Sequence, residues 1–379
     1  MAPLFLLAAM VAFAGEIPSG RIVDEVPCAA EPAQSYALYV PSSYTPERAW
    51  PVIFAFDPGA RGRIPVERYQ AAAEKFGYIV AGSRNSRNGS WEVSLAAARA
   101  MATDMTTRFR VDTHRLYTAG MSGGARVALG VALGSGNVAG VIASSAGYPD
   151  AKPRKTVPFA VFGTAGNEDF NYREMRRLDR ELTSPHCLAV FAGGHVWLSS
   201  ELALEAVEWM ELQAMKSGLK PRDQRQIDAM FDRRTAAAAA QPPGQDAYQA
   251  LQAVVADFAG LKDVSAYAAR AAELGRSKPV RDAIKKDREE EDREQREIDQ
   301  MLSWESQLSS LDQRPSALAS LRDRWARLSR VAQGEADSGE RRMARRVLRG
   351  LAMGVAERTK DPEYRRIVEE FRPAGTFAR

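Results

Sequence analysis

The first half of the chain alternates short apolar runs with longer helix-like stretches, and this alternation most constrains the fold. Several runs are apolar at every position, as expected of strands buried on both faces of a parallel sheet. The sequence predicts strands at Tyr36–Val40, Val52–Phe56, Tyr78–Ser83, Leu116–Ala119, Val141–Ser145, Phe159–Gly163 and Leu188–Ala192. It predicts helices between them at Val66–Phe76, Ser94–Phe109, Gly124–Leu133, Tyr172–Thr183 and Ser200–Met215. The pattern indicates a doubly wound, mostly parallel α/β sheet over residues 22–217.

Beyond residue 217 the β-branched runs stop and the pattern becomes helical. A helix and a linker ending in Gln241-Pro-Pro-Gly are predicted over 218–244, followed by an all-α C-terminal domain over 245–379. Its predicted helices are Ala247–Phe258, Val264–Leu274, Val280–Leu311, Ser316–Val331, Glu340–Glu357 and Glu363–Phe371. The nearly all-charged stretch Lys285–Asp299 mixes both signs, which is typical of a solvated helix with i,i+4 ion pairs. This domain offers a surface for a protein partner or for self-association.

Composition limits the classes of partner. The net charge is only +4, from 52 basic and 48 acidic residues, which gives no reason to expect nucleic acid as a partner. Residues 1–14 form an apolar run ending in Ala12-Phe13-Ala14, which predicts a signal peptide and an exported protein, periplasmic or extracellular; without export it would be cytoplasmic. No second run is long enough to span a membrane.

Two cysteines and three histidines without ligand-like spacing predict no metal site, and no cofactor is expected. The sequence leaves open whether Cys28 and Cys187 form a disulfide, because it does not place their Cα atoms within bridging range.

The segment Gly120-Met121-Ser122-Gly123-Gly124 contains the pattern G-x-S-x-G between a predicted strand and a predicted helix. This context is the one in which the pattern marks a nucleophile elbow, a sharp turn that exposes a serine hydroxyl. A serine is a weak nucleophile alone and needs a base within hydrogen-bonding reach. Ser122 is therefore the predicted nucleophile.

Elimination identifies the base. His114 and His186 precede strands, whereas His195 follows the predicted strand Leu188–Ala192. Catalytic groups of open α/β sheets gather at the carboxyl ends of the strands, so only His195 lies at the correct end. The acid is expected between serine and histidine in the chain, where Asp169 is the first choice and Glu168 the alternative. Each carboxylate also suits the first turn of the helix near Tyr172.

Two loops complete the predicted site. Gly123 is expected to donate one backbone N–H to an oxyanion, and the loop after Val52–Phe56 is expected to donate the second. Pro58 in that loop has no N–H, so Gly59 or Ala60 is the predicted second donor. The predicted substrate-binding side chains are Asn88, Trp91, Met121 and Trp197.

These motifs resemble a known family. The segment around Ser122, the Gly-Thr-x-Gly-x-x-Asp segment ending at Asp169, and Gly-Gly-His-x-Trp ending at Trp197 are similar to those of the secreted esterases grouped with polyhydroxybutyrate depolymerases, feruloyl esterases and dienelactone hydrolases. The resemblance covers roughly residues 22–217. It implies the α/β-hydrolase fold and hydrolysis of carboxylic esters by the triad Ser122, Asp169 and His195. The sequence departs from the family at Asp57-Pro58, where many relatives have His-Gly, and the helical C-terminal half has no counterpart there.

The predicted function is that of a serine esterase, acting through an acyl-enzyme on a small-molecule or polymer-end ester. Only a short proline-containing segment separates Val141–Ser145 from Phe159–Gly163, so no lid insertion is expected, and an open site favours short acyl groups. A peptidase or amidase would use the same triad. An interaction protein that binds its partner through the helical domain is the alternative outside the enzymes.

Overall fold

The computed structural model describes residues 17–150, 152 and 154–373. A single eight-stranded sheet runs in the order β1-β2-β4-β3-β5-β6-β7-β8. Strand β2 pairs antiparallel with both β1 and β4, whereas all pairs among β3 to β8 are parallel. The strands are β1 Ile22–Pro27, β2 Ser35–Tyr39, β3 Trp50–Phe56, β4 Ile79–Ser83, β5 Val111–Met121, β6 Val138–Ser144, β7 Ala160–Gly166 and β8 His186–Phe191. This topology, with helices on both faces, confirms the predicted α/β-hydrolase fold.

Helices cover both faces of the sheet, which is why the central strands are apolar throughout. They are α1 Arg63–Phe76, α2 Trp91–Arg108, α3 Gly123–Ser135, α4 Tyr172–Glu181 and α5 Ser200–Lys216. Helices α2, α3 and α4 pack on one face through side chains such as Met101, Leu129 and Met175. Helices α1 and α5 pack on the other face through Tyr69 and Trp209. The sheet is thus a rigid layer whose carboxyl edge presents the loops.

The rest of the described chain is helical and is built around two further apolar clusters. The helices are α6 Gln224–Ala239, α7 Gln245–Phe258, α8 Ser265–Arg276, α9 Lys278–Gln307, α10 Arg314–Ala332, α11 Gly339–Ala352, α12 Val355–Arg358 and α13 Pro362–Phe371. One cluster joins α6, α7, α8 and the start of α9 to Leu212 and Met215 of α5. The other joins the end of α9 to α10, α11 and α13 around Trp325. Packing is therefore continuous across the predicted division at residue 217.

Two elements differ from the sequence-based prediction. Strand β1 was not predicted, because its residues Ile22–Pro27 include Asp24 and Glu25 and form a bulged edge strand rather than an apolar run. The predicted helix Glu340–Glu357 is two helices, α11 and α12, separated at Gly354, which has a left-handed φ of 71°. The predicted signal peptide lies outside the described residues.

The cysteines lie at opposite edges of the sheet. Cys28 directly follows the edge strand β1 and Cys187 lies in the other edge strand β8, and both thiols are free. Seven strand spacings of about 4.8 Å each separate the two edges, far more than the roughly 7 Å that a disulfide spans between Cα atoms. The question that the sequence left open is answered here: the two thiols are too far apart to pair within one chain.

Candidate active site

The turn between β5 and α3 carries Ser122 in a strained conformation. The strand ends at Met121 and the helix begins at Gly123, so Ser122 alone makes the turn, with φ 54° and ψ −124°. Residues other than glycine rarely adopt such a left-handed φ, and the strain costs about 1–3 kcal/mol. The Ser122 N–H donates to Ser144 O at 2.8 Å and its carbonyl accepts from Ala125 N at 2.9 Å. The backbone geometry is therefore that of a nucleophile elbow.

Glycines on either side allow this turn to pack tightly. A Cβ on Gly124 would overlap the carbonyl oxygen of Phe56 in β3, and a Cβ on Gly120 would overlap the carbonyl oxygen of Gly124. The elbow thus lies directly against the neighbouring strand, and both glycines of the motif are required by close backbone approach rather than by local flexibility.

Asp169 and His195 form a hydrogen-bonded pair at the same edge of the sheet. Asp169 follows β7, His195 follows β8, and His195 Nδ1 lies 2.9 Å from Asp169 Oδ1. The carboxylate is fully buried, whereas 17% of the histidine side chain is exposed. Asp169 Oδ1 also accepts the N–H of Asn171 at 2.8 Å. The imidazole is therefore held through Nδ1 while Nε2 makes no hydrogen bond with any described residue, including Ser122.

The loops that carry the acid and the base are joined to each other. The N–H of Asn167 donates to Phe191 O at 2.9 Å, and the N–H of Glu168 donates to Gly193 O at 2.8 Å. The ring of Phe170 lies against the imidazole of His195, with ring centroids 4.2 Å apart and planes tilted by 30°. Backbone pairing and ring contact together fix the orientation of the histidine.

Ser145 is a second strained serine, which the sequence analysis did not identify. Its φ is 60°, its carbonyl accepts from Asn171 Nδ2 at 2.8 Å, and its hydroxyl donates to Val196 O at 3.4 Å. Ser145 thereby connects the end of β6 to the loop of residues 167–171, which carries Asp169 and is called the acid loop below. It also connects β6 to the loop that carries His195. No local pattern signals these contacts, because they join residues 26 and 51 positions apart in the chain.

Both predicted donors of the second oxyanion N–H are engaged in hydrogen bonds within their own loop. The N–H of Gly59 donates to Asp57 Oδ1 at 2.8 Å, and the N–H of Ala60 donates to Asp57 O at 3.2 Å. The Gly59 bond is that of an Asx turn, in which an aspartate accepts the N–H two residues further on. The Ala60 bond is that of a backbone turn, in which a carbonyl accepts the N–H three residues further on. Asp57 is fully buried and also accepts from Trp197 Nε1 at 2.7 Å and from Arg61 Nε at 2.9 Å. In this conformation Gly59 and Ala60 are not free to bind an oxyanion.

Asn88 lies beside Gly123, the predicted first donor. A Cβ on Gly123 would overlap Asn88 Oδ1 and would lie 3.6 Å from Asn88 Nδ2. The N–H of Asn88 donates to Pro58 O at 2.9 Å, so the loop after β4 is fixed to the loop after β3. The Asn88 side chain makes no hydrogen bond with the described residues. Gly123, as the first residue of α3, has an N–H without a partner in the helix.

The other three predicted substrate-binding residues have different surroundings. Met121 and Trp197 are 6% and 8% exposed and belong to the apolar cluster under α1 and α5. Trp91 is 42% exposed and lies against Gly130, about two turns along α3 from Gly123. Of the four predicted residues, Met121 directly precedes Ser122 with a buried side chain, and Asn88 is brought beside the nucleophile turn from another loop.

The alternatives for the acid and the base lie away from the elbow. Glu168 faces Arg345 and Arg349 of α11, at 2.6 and 3.3 Å, instead of His195. His114 is exposed near the start of β5, and His186 begins β8, so both lie at the amino ends of their strands. His114 thus lies inside β5 rather than before it, and neither histidine is at the carboxyl edge that carries Ser122.

Neither thiol is suited to nucleophilic attack. Burial raises the pKa of Cys28 to about 11 and that of Cys187 to about 12, so both remain protonated at neutral pH. Within residues 17–150, 152 and 154–373, no three His, Cys, Asp or Glu side chains cluster as a metal site. In the same residues no helix has both the length and the apolar character needed to cross a bilayer.

A cavity of about 450 Å³ lies at the other end of the sheet from Ser122. It is lined by the start of β7 and by α5, including Phe159, Met210 and Gln213. Because Ser122, Asp169 and His195 all follow the carboxyl ends of strands, this cavity is separate from the candidate site.

No protein-family model matches the sequence, and no curated protein matches it. Solved structures of similar fold include an esterase from Pyrobaculum calidifontis, 13% identical, with a TM-score of 0.40 over 53% of this chain and 87% of that one. A fluorophosphonate-binding serine hydrolase of Staphylococcus aureus is 15% identical, with a TM-score of 0.39 over 51% of this chain and 99% of its own. A ferulic acid esterase is 16% identical, with a TM-score of 0.42 over 50% and 97%. Each likeness is one of overall fold, and no activity is inferred from it.

Proposed function

We propose that this protein is a serine hydrolase that cleaves carboxylic esters through an acyl-enzyme. The observation that carries the proposal is the combination of a strained Ser122 at the elbow and a buried Asp169 bonded to His195 at the same sheet edge. Residues held in rare backbone conformations mark functional sites, because the strain must be compensated elsewhere in the fold.

The chemistry follows from these positions. His195 Nε2 takes the proton of the Ser122 hydroxyl as the oxygen attacks the ester carbonyl, and then gives it to the leaving alcohol. Asp169 keeps the proton of the neutral imidazole on Nδ1 and stabilises the imidazolium that forms. Water then hydrolyses the acyl-enzyme with His195 again as base. The Ser122–His195 hydrogen bond, which the free protein lacks, forms when substrate excludes water, as is common for catalytic contacts that are long or poorly aligned in free enzymes.

Two donors are proposed for the oxyanion: the N–H of Gly123 and the side-chain amide of Asn88. Asn88 lies against Gly123, and its carboxamide has no hydrogen bond with the described residues, so it is free to turn Nδ2 toward the oxyanion. A side-chain amide can serve in place of a second backbone N–H. Asp57 meanwhile keeps the N–H groups of Gly59 and Ala60 engaged.

Asn88→Ala tests this assignment. We expect kcat to fall about 10²–10³-fold with little change in KM, because the interaction is made in the transition state. Ser90→Ala is the matched control, since Ser90 is in the same loop and its side chain makes no capping hydrogen bond. If Asn88→Ala keeps the parent kcat, the second donor is instead Gly59 or Ala60 after a rearrangement of Asp57.

The function itself is tested by hydrolysis of p-nitrophenyl acetate and butyrate. Ser122→Ala should lose several orders of magnitude in turnover, whereas Ser135→Ala, at the far end of α3, should keep the parent rate. Equal rates in the parent and in Ser122→Ala would reject the proposal. Faster hydrolysis of a matched anilide would identify an amidase, and faster hydrolysis of a long-chain ester would reject the preference for short acyl groups.

A further inference from the structure

Three arginines of α11 face the two residues that precede Asp169. Arg345 Nη1 lies 2.6 Å from Glu168 Oε1, and Arg349 Nη1 lies 3.3 Å from Glu168 Oε2. Arg346 Nη1 donates to the carbonyl oxygen of Asn167 at 2.6 Å. Positions 345 and 349 are one helical turn apart, so their side chains lie on the same face of α11. The acid loop is thus held by its side chain and by its backbone.

Arg346 is itself held in place. Its Nε and Nη2 form a bidentate pair with Glu294 of α9, at 3.1 and 2.5 Å, in which the two side chains are 11% and 3% exposed. Its guanidinium carbon lies 4.9 Å from the centre of the Tyr172 ring. A planar guanidinium fixed on one side by a carboxylate presents its remaining N–H at a defined angle. The bond to the Asn167 carbonyl is therefore well oriented.

Helix α11 also contacts Phe170, whose ring touches the imidazole of His195. A Cβ on Gly350 of α11 would lie 3.3 Å from Phe170 Cβ, and a Cβ on Gly194 would lie 2.9 Å from Arg349 Nη1. Phe170 in turn lies against His195. Helix α11 therefore touches the segments on both sides of the Asp169–His195 pair.

A second row of polar contacts anchors α4, the helix that follows the acid loop. Arg180 Nη1 lies 2.8 Å from Glu291 Oε1, and Arg173 Nη1 lies 2.8 Å from Gln295 Oε1. Arg176 Nη2 lies 3.3 Å from Asp287 Oδ2. One face of the charged stretch in α9 is thus an interface with the sheet half, and the loop is held at both of its ends.

We propose that α11 is a built-in positioning element of the active site. Arg345, Arg346 and Arg349 act through the acid loop, by keeping Asp169 at hydrogen-bonding distance from His195. This inference rests on the proposed function. It assigns the inner face of α11 to the protein's own catalytic loop, so that face is not available to a separate partner.

The first test compares Arg346→Gln and the double variant Arg345→Gln/Arg349→Gln with Arg342→Gln. The control residue Arg342 is on the same helix and, among the residues that the structure describes, its side chain pairs only with Asp337. Turnover is expressed per active site by titration with a phosphonate. We expect kcat to fall about 10–100-fold in the first two with KM within about twofold, because small misplacements of catalytic groups are costly. The control should match the parent.

The split between kcat and KM separates positioning from a loss of folded protein, because rates per titrated active site count only folded enzyme. Arg346→Lys should not restore the parent kcat, because an ammonium cannot form the bidentate fork. The double variant keeps the test usable if loss of the more buried Arg346 prevents folding.

Hydrogen exchange gives a readout that needs no activity. The amides of Asn167, Glu168 and Asp169 should exchange faster in both variants than in the parent and in Arg342→Gln. Unchanged exchange, or an unchanged kcat per active site, would overturn the inference. If the parent protein hydrolyses no ester but the variants still exchange faster, the proposed function is rejected. The positioning of the acid loop by α11 is supported in that case.

Discussion

Asp169→Asn is the most informative single substitution at the candidate site. In the protein, Asp169 Oδ1 accepts from both His195 Nδ1 and the N–H of Asn171, inside a fully buried setting. An asparagine of the same shape keeps Oδ1 as the acceptor of both N–H groups and puts Nδ2 at the place of Oδ2, a buried atom that has no hydrogen-bond partner among the described residues. The substituted amide is neutral, so it no longer stabilises the imidazolium that forms when His195 takes the serine proton. The transition state therefore loses the charge that Asp169 supplies.

The expected loss is about 10⁴-fold in kcat at neutral pH, equivalent to about 5.4 kcal/mol at about 1.36 kcal/mol per factor of ten. The assay is the initial rate of p-nitrophenyl butyrate hydrolysis, expressed per titrated active site, with the Tm measured alongside. KM should change little, because the buried carboxylate does not face the substrate.

Two variants serve as controls. Asp179 forms another aspartate–histidine pair, with His186 Nε2 at 3.8 Å, at the opposite end of the sheet, so Asp179→Asn should keep the parent kcat. Glu168→Gln should cost much less than Asp169→Asn, because Glu168 faces the α11 arginines. A loss in Asp169→Asn smaller than tenfold, or an equal loss in Glu168→Gln, would refute the assignment of Asp169 as the acid.

Three further predictions concern stability. Burial raises the pKa of Asp257, which lies at the carboxyl end of α7 and accepts from Trp209 Nε1 at 2.8 Å. The folded state therefore favours the protonated acid, and the parent loses stability as pH rises from about 4, the unfolded pKa, through the raised folded pKa. The Tm of Asp257→Asn minus that of the parent should then increase from pH 4 to pH 8; a constant difference would contradict this. Gly124→Ala should abolish folding or activity, because its Cβ overlaps Phe56 O, and circular dichroism with the esterase assay would detect either loss. Trp325→Ala should destabilise the α10–α13 cluster by about 3–5 kcal/mol in urea unfolding, since the side chain is fully buried, and an unchanged midpoint would speak against that core.

The helical half changes how the charged stretch of α9 is understood. Lys285 and Lys286 pair with Glu289 and Glu290 one turn on, as the solvated-helix interpretation expects. Glu294 on the same helix is almost fully buried against Arg346. Periodicity in the sequence identified the helix, but a mixed-charge pattern does not distinguish a face that meets water from a face that meets arginines of another helix.

Much of the sheet half could be predicted because its signals are local. Buried parallel strands are apolar at every position, and the G-x-S-x-G pattern needs only one strand, one turn and one helix. Strand β1 was missed because an edge strand half-exposed to water, with Asp24 and Glu25, lacks that signal. The sequence did not show that Asp57 accepts the N–H of Gly59 through its side chain and the N–H of Ala60 through its main-chain carbonyl.

The sequence by itself determined the fold class and the order Ser122, Asp169, His195 along the chain, since backbone preferences and burial patterns act over a few residues. Only the tertiary structure decided that Asn88 lies against Gly123, that Trp197 donates a hydrogen bond to Asp57, and that an arginine of α11 donates one to the acid loop. Arg346 and Asn167 are 179 residues apart in the chain. No local pattern encodes such a contact, because it depends on how the helical half packs against the sheet half. An arginine on a helix surface has the same sequence signature whether it contacts water or a catalytic loop.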